Sequence, residues 1–267
     1  MYEYVFLICI TFMFGTVLGS FANSIAYRIK YNKPIALDRS ECPKCHNKIA
    51  FYDLIPIVSF FILRGKCRHC KQKISWHYPL IEFLSGIYLT IICILYTNGD
   101  FDSWELLIYI AFGITLFIII VSDILYLEIP NSMQIIIILI AISRIFIDKE
   151  NAIPFFVSAI FAAGLFYFVF KITGSNKMGL GDVKLAFGLG LFFGFFQFIW
   201  IVVISSLAGI LLGIAISQLN KLEIRKVKVP YGSVITLTSL LFFIASFSPS
   251  ISNYLNYNYF TLLKILF

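Results

Sequence analysis

The sequence predicts an all-α polytopic membrane protein with about eight transmembrane helices and a cysteine-rich cytoplasmic loop between the first two. The first observation is composition, because 60% of the 267 residues are hydrophobic and only 13% are charged. Soluble domains are about 45–50% apolar and about 25% charged. The second is the recurrence of apolar runs near 20 residues, the length that spans a bilayer as a helix. The third is the clustering of basic residues between those runs. Together these observations exclude a soluble globular protein and a disordered protein.

The apolar runs give the predicted spans in order. Residues 4–27 form an uncleaved first span, since Glu3 replaces a basic flank and no small-residue cleavage site follows. The run 54–63 is too short to cross a bilayer and is predicted to be interfacial or re-entrant. The 33-residue run 185–217 is too long for one helix and is predicted to break near 194–197. The other spans are predicted at 78–96, 104–125, 129–147, 153–170 and 233–247.

The positions of the charges predict the topology. With the N-terminus outside, the inward connections 28–77, 123–132, 171–184 and 218–231 carry 18 of the 21 Lys and Arg residues. Positive loops lie on the cytoplasmic side, so the inverted arrangement is disfavoured. The sequence therefore predicts a multi-pass membrane protein in contact with lipid, with its N-terminus outside and its basic loops in the cytoplasm, and no nucleic-acid partner. The predicted divisions are a first helix (1–27), a cytoplasmic loop (28–77), a membrane core (78–249) and a C-terminal tail (250–267).

Four of the six cysteines form two pairs inside the basic loop. Cys42 and Cys45 recur as Cys67 and Cys70 at an offset of 25 residues, and each pair is followed by Lys-Ile at the same distance. Two such C-x-x-C knuckles supply the four thiolates of a structural Zn²⁺ site. Metal-free thiols and disulfides are the alternatives, although a reducing cytoplasm disfavours disulfides. Cys9 and Cys93 lie in predicted spans, where apolar packing is the expected role.

Carboxylates within or at the ends of spans are costly and indicate function. Glu105 lies at the start of a helix, where its charge suits the helix dipole, so a structural role is expected. Glu82 lies about one turn into the second span and is compatible with either role. Asp123 lies near the inner end of the third span and Asp182 near the inner start of the sixth. The topology therefore places Asp123 and Asp182 at the same depth on the same face.

The two aspartates permit three interpretations. Two facing carboxyl groups in a low-dielectric site share a proton and can hydrolyse a peptide bond without a covalent enzyme intermediate. Paired carboxyls in a membrane also serve proton or cation transport, so a proton-coupled transporter is the alternative function. The third interpretation is purely structural, with Asp182 capping a helix in a membrane scaffold without chemistry.

Motifs along most of the chain resemble the bacterial prepilin peptidases, also called type IV leader peptidases. Gly179-x-Gly181-Asp182 is similar to the GxGD signature of these membrane aspartic proteases. The other matching segments, in chain order, are GSFANSIAYR at 19–28, CPKC at 42–45, YDLIPIVS at 52–59, RGKC at 64–67, ISWHYPLIE at 74–82, Asp123 with Ile-Pro at 129–130, and PYG at 230–232.

The resemblance implies two activities. The first cleaves the basic leader of type IV prepilins or pseudopilins after a Gly on the cytoplasmic side, with Asp123 and Asp182 as the catalytic pair. The second transfers a methyl group from S-adenosylmethionine to the new N-terminus. The resemblance connects methyl transfer with the E-x-x-x-G segment Glu82 to Gly86, although close helix packing is the alternative role for Gly86. Neither the particular prepilin nor the oligomeric state follows from the sequence.

Overall fold

The computed structural model describes residues 2–35, 39–147, 152–174, 178–221 and 228–248. Across these ranges the regular structure is helical, and β-pairing is confined to two isolated bridges. The predicted all-α class is therefore confirmed. Some sequence-based predictions concern residues outside the described ranges: the tail 250–267 and the topology charges Lys149, Lys177, Arg225, Lys226 and Lys264.

The chain divides into two compact units, Met1–Ser122 and Asp123–Phe267. The described elements of the first unit are α1 (Tyr2–Lys30), a 3₁₀ turn (Phe51–Leu54), α2 (Val58–Ile62), α3 (His77–Asn98) and most of α4 (Ser103–Tyr126). Those of the second unit are α5 (Asn131–Ile147), α6 (Ala152–Thr173), α7 (Leu180–Phe193), α8 (Phe195–Asn220) and α9 (Tyr231–Ser246). The predicted division at 27/28, 77/78 and 249/250 stays a prediction.

Glycines allow α1 and α3 to pack antiparallel at close range in the first unit. A Cβ added at Gly15 would lie 2.8 Å from Gly86 Cα, and one at Gly19 would lie 2.8 Å from Glu82 Cα. One at Gly86 would lie 2.8 Å from the ring of Phe12. Helices in lipid associate through small residues of this kind, because no hydrophobic effect drives them together there.

α7 is the central helix of the second unit and packs against α5, α6, α8 and α9. Its glycines again allow the approach, since a Cβ at Gly188 would lie 2.6 Å from Ile137 and one at Gly190 would lie 2.7 Å from Ala162. The helix ends at Gly194, whose φ of +77° favours glycine, and α8 begins at the next residue. The predicted break in the long apolar run is thus confirmed at Gly194.

Five described helices are long and apolar enough to cross a membrane: α1, α3, α4, α6 and α8. α5 and α9 are shorter apolar helices of 17 and 16 residues, and α7 has 14 residues. At 1.5 Å per residue, 14 residues extend about 21 Å, against about 30 Å of hydrocarbon. Eight helices occur where eight spans are expected, but the count of eight membrane crossings is not confirmed.

Candidate active site and cysteine cluster

Asp123 lies near the C-terminal end of α4 and reaches the N-terminus of α9. Its side chain is buried, with 5% of the residue exposed. Its Oδ2 accepts the backbone N–H of Ser233 at 2.5 Å, in the first turn of α9. The first N–H groups of a helix have no partner within the helix and carry the positive end of its dipole. The sequence predicted that Asp123 lies at the end of a span. The structure adds that it contacts the N-terminus of α9.

Gly232 allows this contact. A Cβ added there would lie 3.1 Å from Asp123 Oδ2 and 2.8 Å from Ile129 Cδ1. Any side chain at position 232 would therefore push against the carboxylate. The sequence singled out the Pro-Tyr-Gly segment only as part of a resemblance, and the structure supplies the physical reason for its glycine.

Asp182 lies in the first turn of α7, and its Oδ2 accepts the backbone N–H of Gly179 at 3.1 Å. This is the capping contact expected of a structural aspartate. Ile129 connects the two aspartates, because it lies against Gly181, the neighbour of Asp182, and against Gly232, which contacts Asp123. The structure thus brings together two carboxyl groups that are 59 residues apart in sequence, each at the N-terminal end of a helix.

Sequence reasoning missed Gln134, which joins the two sides of this site. Gln134 is 2% exposed, and its amide donates to the carbonyl oxygens of Ile129 at 3.2 Å and Gly181 at 3.3 Å. Its Oε1 is buried and has no hydrogen-bond partner among the described residues. The available signal was an isolated amide in the apolar run of α5, since polar groups inside membrane helices make contacts between helices.

A second link holds the turn before α7 against α5. Lys184 Nζ donates to Asn131 Oδ1 at 2.9 Å, and Asn131 is the first residue of α5. Asp182 lies between Gly181 and Lys184, so hydrogen bonds to α5 and the preceding segment hold its turn from both sides.

The four loop cysteines lie together. Their Sγ atoms are all within 4.8 Å of one another, and those of Cys42 and Cys70 are 4.0 Å apart. A tetrahedral Zn–S₄ site with bonds near 2.3 Å has sulfur atoms about 3.8 Å apart, so the donor set fits zinc. All six cysteines, which lie within the described ranges, are free thiols.

The 25-residue repeat has a structural counterpart. Cys42 N–H donates to Asn47 O and Cys67 N–H to Gln72 O, at 3.0 and 2.9 Å. The left-handed residues also correspond, with φ of 57° at His46 and 58° at Lys71. Two copies of one turn therefore present the four sulfur atoms to a common point.

The thiols differ in acidity. Burial raises the pKa of Cys42 to about 11. Burial acts in the same direction on Cys67, but hydrogen bonds from the backbone N–H groups of Cys70 and His69 and from the thiols of Cys42 and Cys70 together lower the pKa of Cys67 to about 7. A thiolate ligand is therefore formed more readily at Cys67 than at Cys42.

Comparison with known proteins matches two consecutive parts of the chain. Residues 13–96 match the model of the Bacterial Peptidase A24 N-terminal domain, and residues 110–214 match that of the Type IV leader peptidase family. A prepilin leader peptidase/N-methyltransferase of Vibrio cholerae serotype O1 is 33% identical over 208 residues, covering 72% of this chain and 79% of its own. The chain belongs to the type IV leader peptidase family.

Other relatives in the family bear the same name. The prepilin leader peptidase/N-methyltransferase of Neisseria gonorrhoeae is 32% identical over 229 residues, covering 75% of this chain and 79% of its own. That of Bacillus subtilis (strain 168) is 31% identical over 239 residues, covering 88% and 93%. No solved structure matches the chain.

In this leader peptidase, Glu82 lies in the first unit and is 8% exposed. Its Oε2 accepts the backbone N–H of Ile57 at 2.7 Å. Gly86 packs against Phe12 and Thr16 of α1, and a Cβ added there would lie 2.8 Å from the Phe12 ring. The packing role expected as the alternative for Gly86 fits these contacts, and its connection with a methyl donor stays a prediction.

Glu105 makes the structural contacts expected at a helix start. Asp102 N–H donates to Glu105 Oε2 at 3.1 Å, and Glu105 N–H donates to Asp102 Oδ1 at 2.9 Å. This reciprocal pair is a capping arrangement that satisfies free N–H groups at the beginning of α4.

Proposed function

We propose that Asp123 and Asp182 are the catalytic carboxyl pair with which this chain removes the leader peptide from type IV prepilins or pseudopilins. Membership of the leader peptidase family makes the chain an enzyme, and its relatives are named for leader cleavage and N-methylation. The observation that supports the residue assignment is the position of Ile129, which lies against both Gly181, the neighbour of Asp182, and Gly232, which contacts Asp123. Cleavage after a Gly, on the cytoplasmic side, belongs to this proposal.

The proposed chemistry uses one charged and one neutral carboxyl. Two facing carboxyls in a low-dielectric site share a proton, so one accepts a proton from water while the other donates a hydrogen bond to the scissile carbonyl. The resulting hydroxide adds to the carbonyl carbon and forms a tetrahedral intermediate. Collapse of the intermediate breaks the C–N bond, and the departing amine takes a proton from the pair. The Ser233 N–H supports the charged form of Asp123 in this cycle.

The direct test is incubation of the purified protein with a prepilin and S-adenosylmethionine, followed by mass spectrometry. The expected product has lost its leader after a Gly and carries the mass of one added methyl group. An unaltered prepilin, with a family relative active in parallel, would contradict the proposal.

Gln134 is proposed to position Asp182 through Gly181 and Ile129. Gln134→Leu removes two hydrogen bonds and leaves two carbonyls without this donor, a cost of about 1–3 kcal/mol. We expect kcat for cleavage to fall about 10-fold or more with KM little changed, because the amide contacts the backbone and not the substrate.

Gln218→Leu is the matched control, since Gln218 is exposed near the end of α8. Gln134→Asn tests for partial recovery by a shorter amide. Equal kcat values for Gln134→Leu and the control would refute the positioning role.

Methylation of the new N-terminus is proposed as a second activity with S-adenosylmethionine as donor, and Glu82 is proposed to take part. Glu82 belongs to the first unit and the aspartates to the second, and the two reactions are proposed to use separate sites. The Asp182→Asn variant is then expected to methylate a pre-cleaved peptide beginning with Phe and to fail to cleave a prepilin. A folded Asp182→Asn variant that methylates nothing would show that the carboxyls serve both steps.

The proposed location is the bacterial inner membrane, with the N-terminus outside and the active site facing the cytoplasm. The family and the five long apolar helices make the chain a multi-pass membrane protein. Its orientation is supported by the distribution of Lys and Arg between the two sets of loops.

Zinc is the metal proposed for the cysteine cluster, where four thiolates close the coordination shell and leave only a structural role.

A further inference from the structure

Residues 51–62, here called the aromatic segment, expose an unusual number of large apolar side chains for a loop rich in Lys and Arg. Exposed fractions reach 76% at Phe51 and 68% at Ile62. The other exposed members are Tyr52, Ile55, Val58 and Phe61. An exposed apolar patch on a hydrophilic loop indicates a surface that contacts a membrane or another molecule.

A hydrogen bond fixes the depth of this segment. Ile57 N–H donates to Glu82 Oε2, and Glu82 lies five residues inside α3, about 8 Å along the helix from His77. On the other helix, a Cβ added at Gly19 would lie 2.8 Å from Glu82 Cα, and Gly19 lies eleven residues, or about 16 Å, before the end of α1. Ile57 is therefore level with the bodies of two membrane-spanning helices and not with the loop beyond their ends.

The backbone at Ile57 is strained, and the hydrogen bond from its N–H to Glu82 helps to hold it in this conformation. Ile57 has φ of 62° and ψ of −54°, and Val58 N–H donates to Pro56 O at 2.5 Å. This is a γ-turn of the rare form, which is unfavourable for a β-branched residue. The turn changes the chain direction beside Glu82, and α2 follows immediately.

The charges around the segment are those that a lipid headgroup layer attracts. Arg39 lies over the Phe51 ring at 4.9 Å, and Arg68 lies over the Tyr52 ring at 5.2 Å. Arg68 also forms a two-pronged ion pair with Asp53, at 2.6 and 2.8 Å. Aromatic and basic side chains side by side are typical of the membrane interface, where anionic headgroups meet acyl chains.

We propose that the aromatic segment is embedded in the interface of the same bilayer that α1 and α3 span, with lipid covering Ile55, Val58, Phe61 and Ile62. The ion pair of Asp53 with Arg68 ties the segment to the second knuckle, so the cysteine cluster is held against the membrane surface. The partner of this surface is phospholipid, and the segment anchors the loop beside the helices.

Fluorescence quenching by brominated phospholipid tests the proposal on the full chain in liposomes. The three native tryptophans are replaced by Phe, and one Trp is introduced as Phe61→Trp. Phe14→Trp, on the exposed face of α1, is the control for a lipid environment, and Lys48→Trp, on the first knuckle, is the control for water. We expect quenching at Phe61→Trp to be comparable with Phe14→Trp and several-fold greater than Lys48→Trp.

Quenching at Phe61→Trp by aqueous iodide, and not by brominated lipid, would overturn the proposal. A second measurement avoids the multiple substitution and places p-benzoylphenylalanine at position 61 of the otherwise native chain. Photolysis is expected to yield an adduct with the mass of one phospholipid. Cross-linking to another protein chain in place of lipid would equally overturn the proposal.

Discussion

Asp123→Asn and Asp182→Asn are each expected to abolish leader cleavage while expression and membrane insertion remain intact. An amide can neither accept a proton from water nor share one with the remaining carboxyl. Loss of one member of the pair therefore removes the acid–base chemistry, and the rate is expected to fall by roughly 10²–10⁴-fold or more. The measurement is the rate of leader removal from a purified prepilin, followed by mass spectrometry.

Asp100→Asn is the matched control, because Asp100 is an exposed carboxylate in the loop between α3 and α4. Its cleavage rate is expected to equal that of the unaltered chain. Near-normal cleavage by either active-site variant would remove the catalytic assignment. If cleavage stayed normal in Asp182→Asn alone, its bond to the Gly179 N–H would be the whole of its role.

The purified protein is expected to hold about one Zn²⁺ per chain, and Cys42→Ser with Cys45→Ser is expected to reduce the zinc content to background. The four sulfur atoms already lie within bonding range of one centre, and two remaining thiolates bind zinc weakly. Elemental analysis measures the metal. Trypsin is expected to cut the Lys- and Arg-rich loop faster in the variant, because the metal links the two knuckles.

Cys93→Ser is the control for this experiment, since Cys93 lies in α3 and outside the cluster. It is expected to retain the full zinc content. An unaltered protein purified without chelators that contains no metal would contradict the zinc proposal and leave the peptidase proposal standing. A different metal in the same amount would change the identity of the metal and leave the proposed four-cysteine site standing.

Local information in the sequence was sufficient for several features. Apolar runs of helical length predicted the helices, and the excess length of the run 185–217 predicted a break near 194–197, which the structure places at Gly194. The repeat of the C-x-x-C knuckle predicted a four-cysteine cluster, because each knuckle is a short turn specified by its own residues. Asp123 and Asp182 stood out because carboxylates are rare near membrane spans.

The sequence by itself thus determined the class of protein, the cysteine cluster and the two candidate carboxylates. Only the tertiary structure decided that α9 meets Asp123, that Gln134 joins Ile129 to Gly181, and that Glu82 holds Ile57. The physical reason is that these contacts join groups brought together by helix packing. That packing depends on where missing Cβ atoms let backbones approach, and no local pattern of hydrophobic or charged residues records it.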